Sequence, residues 1–114
     1  MSRSTFYSVL AQHYDELFRP SDEGLRLLSE LAARSNYRVL DAACGTGSWV
    51  RRLARQDLDV VGLDLSEPMI VTGRRLAEEH QIDPARLRVG NMKQVETHPD
   101  APFGLIYCVG NSVA

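Results

Sequence analysis

A chain of 114 residues, 44% apolar and 25% charged with a formal net charge of −2, reads as one ordinary globular domain. No apolar run approaches the ~18 residues of a membrane span, and MSRSTFYSVLAQHYDELF lacks the apolar core and cleavage site of a secretory leader, so a cytoplasmic protein is expected. Thirteen basic residues against 15 acids give no nucleic-acid footprint, and Cys44, Cys108, His13, His80 and His98 show no metal-ligand spacing.

Residues 4–18 carry apolar positions at helical spacing: Phe6, Leu10, Tyr14 and Leu17. Pro20 closes that segment. Ser21-Asp22-Glu23 opens a second helix with a capping hydroxyl and acids in the first turn, and Leu25, Leu28, Leu31 and Ala32 form its apolar stripe. From Tyr37 the pattern changes. Arg38-Val39-Leu40-Asp41 is a short strand ending in an acid, followed by the glycine loop of VLDAACGTGS and a helix over 48–55. Residues 59–64 form a second strand, again ending in an acid. Ser66-Glu67-Pro68 starts a helix that runs to about His80. Residues 86–90 form a third strand and 103–109 a fourth, whose Leu105-Ile106-Tyr107-Cys108-Val109 run has the composition of a buried strand. Arg51-Arg52-Arg55 and Arg74-Arg75 fall in the helices and are expected on solvated faces.

Alternating strands and helices predict an α/β domain with a parallel sheet and right-handed crossovers. Such sheets bind ligands outside the carboxyl ends of their strands. The unusual residues of this chain fall there: Asp41 to Gly47, Asp64, Asn91 and Gly110-Asn111. Gly45 and Gly47 permit positive backbone dihedrals and close approach to main-chain N–H groups; a tight turn without a ligand would use them equally. Asp64, 23 residues after Asp41, stands where a carboxylate can accept from ribose hydroxyls, or serve as a turn acid. A dinucleotide fingerprint needs a third small residue, and here G-T-G-S-W-V places Val50. An acid before the loop suits a ligand with a positive end better than a pyrophosphate.

VLDAACGTG, VVGLDLSEPM, RVGNM and FGLIYCVGNS together resemble the class I S-adenosylmethionine-dependent methyltransferases. D-x-A-C-G-T-G with the later CVGNS is most similar to the glycine N-methyltransferase-like small-molecule branch, and YSVLAQHYDELF resembles its leader. The resemblance implies a Rossmann-like, doubly wound parallel sheet, here about four strands in the order 3-2-1-4, with two N-terminal helices. It divides the chain into N-terminal helices over 1–36 and a cofactor-binding half over 37–114. The cofactor implied is S-adenosyl-L-methionine. Asp41 would meet its methionyl amino group, with Ala43, Gly45 and Gly47 lining it by backbone. Asp64 would hold the ribose, Leu65 and Met69 the adenine. Asn91, where the family commonly has Asp, would accept from the adenine amine beside Met92. Val109 would offer its carbonyl near the amino group, Arg19 would pair the methionyl carboxylate, and Tyr14 and Tyr7 would close over the cofactor. Asn111 matches a residue that touches the substrate. No general base is assigned, because a sulfonium methyl needs chiefly in-line approach and exclusion of water.

Three departures stand out. Ala43 occupies a place where the family often has Gly, and Gly104 replaces a common Asp. The family's sheet has seven strands, whereas this chain stops just past the fourth. The resemblance therefore implies a missing C-terminal segment, or an oligomer formed through the apolar edge of the fourth strand. The expected function is methyl transfer to a small-molecule acceptor, an amine such as glycine being one candidate, with neither nucleic acid nor membrane as partner. The alternatives are an NAD(P)-binding oxidoreductase domain and a non-catalytic S-adenosylmethionine-binding module.

Overall fold

A computed structural model describes residues 21–35, 38–97 and 102–108. The expected helix over 4–18, and with it Tyr7, Tyr14 and Arg19, lies outside these residues, as do Val109 and Asn111. Helix α1, Asp22–Ala33, begins where predicted: the Ser21 hydroxyl accepts from the Gly24 N–H at 3.1 Å, and Asp22 and Glu23 sit in the first turn. Its inward face is Leu28 and Ala32. Leu31, expected in the stripe, is 39% exposed, because it falls at the margin of a face only two turns deep.

Strand β1, Arg38–Ala42, leads through the glycine loop into α2, Ser48–Ala54. Strand β2 is Val60–Asp64 and helix α3 is Glu67–Glu79. The Ser66 hydroxyl caps α3 by accepting from the Met69 N–H at 3.4 Å, with Pro68 in the first turn. At its other end Gln81 adopts a left-handed φ of 62°. There the Gln81 and Ile82 N–H groups donate to the Glu78 and Ala77 carbonyls at 3.1 and 2.8 Å, the paired bonds of a Schellman motif. A 3-10 turn, Pro84–Arg86, delivers the chain to β3, Leu87–Val89. A second 3-10 segment, Met92–Thr97, precedes β4, Phe103–Tyr107.

The four strands are parallel and ordered β3-β2-β1-β4, as the resemblance implied. Val39 pairs with Val60 and Asp41 with Gly62 on one side, and Asp41 with Tyr107 on the other. A register shift between Arg38 and Val39 sets the β4 pairing. The three described helices pack against one face, where Leu28, Val50, Leu53 and Ile70 meet Val39, Val60, Leu87 and Tyr107. Leu40, Val61 and Leu63 form a second cluster on the opposite face, with Phe103 against it. The expectation of a buried fourth strand is not met. Ile106 is 51% exposed while Tyr107 is buried, an alternation that follows from β4 lying at the edge of the described sheet with the described helices on one side.

Candidate functional site

The site is built where β1 and β2 end. After Ala42 the chain must turn sharply to start α2. Three residues take left-handed dihedrals to do so: Ala43 at 62°, Gly45 at 61° and Gly47 at 79°. Ala43 bears a Cβ in a region that costs an L residue ~1–2 kcal/mol, which accounts physically for the Gly often found at this place. The loop is then clamped from below. The Cys44 N–H donates to the Leu63 carbonyl at 2.9 Å, and the Gly45 N–H donates to Asp64 Oδ2 at 2.8 Å. Asp64 Oδ1 accepts from the Ser66 N–H at 2.8 Å. Asp64 thus ties the loop to the start of α3: its bond to Ser66 is the turn-acid alternative, and its bond to Gly45 is an addition the sequence reading did not assign. An ionised carboxylate has about four acceptor positions, so two remain for hydroxyls.

Helix α3 closes on the loop at Gly73. A Cβ there would lie 2.4 Å from the Thr46 carbonyl oxygen, so only glycine permits this approach. Arg51 corrects an expectation. It was predicted on a solvated face, yet it is 6% exposed, because its guanidinium turns inward and donates to the Thr46 carbonyl. A carbonyl aimed into the protein by the left-handed turns recruits the cation one helical turn away. Val50, which replaces the small residue of a dinucleotide fingerprint, is fully buried in the core.

Asp41 is the anomaly of the site. It is 1% exposed, and neither carboxylate oxygen has a hydrogen-bond partner. The Tyr107 hydroxyl on β4 adjoins it, close enough to oppose the rise of its carboxyl, although neither group has a fully formed hydrogen bond. Burial pushes the Asp41 carboxyl up to about 8, the neighbouring Tyr107 hydroxyl opposes this and the charge of Asp64 adds to it. Burial likewise raises the Cys44 thiol, helped by Asp41 and Asp64, so that thiol is inert packing. An orphaned buried carboxylate is costly, and a cationic ligand group is what would satisfy it.

The remaining predicted residues divide. Leu65 is 70% exposed and Met92 is also exposed, with Val89 beside them at the carboxyl ends of β2 and β3. Met69, in the first turn of α3, is buried, and Val89 is an exposed apolar residue at a strand end that the sequence reading did not name. Asn91 is half-buried, and its Oδ1 accepts from the Lys93 N–H at 2.9 Å in a local turn. Among the described residues no group of three metal-ligating side chains comes together, and no helix is long and apolar enough to cross a membrane.

A family model described as a methyltransferase domain matches residues 39–114, the sheet and the whole of this loop. The chain belongs to that family. Among curated relatives of this methyltransferase domain, a glycine/sarcosine N-methyltransferase of Aphanothece halophytica is 34% identical over 115 residues, covering 96% of this chain and 43% of that enzyme. The solved CcbJ methyltransferase from Streptomyces caelestis aligns over 96% of this chain and 46% of its own, with a TM-score of 0.68 and 26% identity. The tRNA (uracil-54, C5)-methyltransferase of Pyrococcus abyssi, solved in complex with S-adenosyl-L-homocysteine, aligns over 59% of this chain and 16% of its own, with a TM-score of 0.50 and 29% identity. The chain spans less than half the length of the curated relatives it matches.

Proposed function

We propose that the protein transfers a methyl group from S-adenosyl-L-methionine to a small-molecule acceptor, and that this chain is the half that binds the cofactor. The observation that carries the reading is the pairing of Asp41 with Asp64. A buried, unpartnered carboxylate ends β1, and a carboxylate with acceptor capacity to spare ends β2 across the glycine loop. Asp41 would face the methionyl ammonium, and Ala43, Gly45 and Gly47 would line that end by backbone. Asp64 would accept from the ribose hydroxyls while keeping its two backbone donors. Leu65, Met92 and Val89 offer apolar surface for the adenine ring, and Asn91 a polar edge. By resemblance, Arg19, Tyr14 and Val109 complete the cofactor pocket and Asn111 touches the acceptor.

The bound cofactor would supply an already activated sulfonium methyl. What the chain contributes is placement: two fixed carboxylates, a rigid loop and exclusion of water from the Asp41 end. No proton transfer is assigned to any side chain. The printed name of the glycine/sarcosine relative supports a small amine as acceptor. The net charge of −2, with no basic excess, supports an acceptor other than nucleic acid. The exposed Ile106 on the β4 edge supports further pairing there, by more of the sheet or by a second copy. The test is transfer of labelled methyl from S-adenosylmethionine by the full-length protein to a panel of glycine, sarcosine and simple hydroxy acids. The reading predicts turnover with at least one amine, lost in Asp64→Ala. Turnover that survives Asp64→Ala would contradict the site assignment.

A further inference from the structure

We propose that Tyr107 is a positioning residue of this site: its hydroxyl, beside Asp41 and with no other partner, is the donor available to the Asp41 carboxylate and fixes the orientation in which that carboxylate meets a ligand's ammonium group. The inference rests on the proposed function for the identity of the ligand, and on the sheet for its geometry. Asp41 and Tyr107 are register partners on adjacent parallel strands, so their side chains leave the same face side by side. The other register partner of Asp41 is Gly62, which offers no donor. A Cβ at Gly62 would stand 2.7 Å from Cys44 Sγ, so the thiol fills that flank. Asp41 and Tyr107 are both buried, and their three polar atoms are the buried side-chain atoms without a hydrogen-bond partner among the described residues. Two orphaned groups of complementary chemistry, adjacent and shielded from water, are more than packing requires.

The charged and titratable groups around the pair come from three elements. Asp64 on β2 repels the Asp41 charge, Cys44 in the loop stays a neutral thiol, and Arg51 on α2 is committed to the Thr46 carbonyl. Tyr107 is itself held far above the ordinary phenol range by burial and then by Asp41, so it remains a donor at every accessible pH. Asp41, raised to about 8, carries a proton at neutral pH without ligand. When an ammonium group arrives, that proton leaves to solvent, the carboxylate pairs with the cation, and the phenol keeps its own proton and supports the second oxygen. Binding at pH 7 therefore releases close to one proton, and affinity rises with pH up to about 8.

Tyr107→Phe keeps the ring in the core and removes only the donor. In the ligand-free full-length protein, carboxyl carbon-13 titration should place the Asp41 midpoint about one unit higher in the variant than in the wild type. Calorimetric titration with S-adenosylhomocysteine should give about tenfold weaker binding at pH 7, the gap closing above pH 9. An unchanged midpoint with an unchanged pH profile of binding would overturn the assignment. If the wild type bound no S-adenosylhomocysteine at any pH, the proposed function would fall, and the ligand-free titration alone would still decide the role of Tyr107.

Discussion

At the scale of single residues, the site is organised by one unfavourable group. Among the described residues, Asp41 and the Tyr107 hydroxyl beside it are the buried side-chain polar groups without a hydrogen-bond partner, and such a carboxylate costs stability in the ligand-free state. Its carboxyl rises from 3.8 to about 8 on folding, so between those values the folded chain holds a proton that the unfolded chain has lost. The stability linked to that proton is present in full below about pH 4 and is lost as pH rises through about 8. The melting temperature of the ligand-free full-length protein should therefore fall between pH 5 and pH 8.5. Asp41→Asn should flatten that fall and melt higher than wild type at pH 8.5, while binding cofactor less well. Parallel pH curves for the two proteins, followed by circular dichroism, would count against a buried, unpaired Asp41. Ala43 is a second local cost, a side chain held at a positive φ where the loop must reverse.

At the scale of elements, what holds the loop is the contact between it and α3, made possible by Gly73. Two effects compete in Gly73→Ala. Alanine is the better helix former by ~1 kcal/mol, but its Cβ would press to 2.4 Å on a main-chain oxygen that Arg51 and the left-handed turns hold in place. Overpacking of this kind costs ~1–3 kcal/mol, and because backbone rather than a flexible side chain must yield, packing wins. The variant should lose up to ~2 kcal/mol in urea denaturation, the difference of those two terms. A stabilised variant would mean that α3 slides freely over the loop. The same elements show what could be read in advance. Ser21 and Ser66 announced their helices because a cap is a local signal, and both hydroxyls accept the expected N–H groups. Arg51 was misread because periodicity places a residue on a helix face without saying what that face meets. Leu31 and Ile106 were misread for the complementary reason: an apolar side chain at the right spacing stays exposed where no described element covers it.

At the scale of the molecule, strand order follows from the alternation of strands and helices, and the strand-end acids then mark the ligand side of the sheet. Asp41 and Asp64 were legible for this reason: each combines an apolar run, an acid and a turn within a few residues. Tyr107 was not, because its place beside Asp41 depends on the pairing of β1 with a strand about 65 positions away, offset by a register shift that no local pattern records. The dual bonding of Asp64 was hidden in the same way, since the Gly45 N–H reaches it only after the loop has folded back onto β2. The central claim is that these two strand ends form one S-adenosylmethionine site. It is tested most directly by calorimetric titration of the full-length protein with S-adenosylhomocysteine and, separately, with NAD, for wild type, Asp41→Ala and Asp64→Ala. One-to-one binding of S-adenosylhomocysteine that either substitution abolishes, with no heat from NAD, is the predicted result; binding of NAD, or S-adenosylhomocysteine binding unaffected by both substitutions, would contradict it.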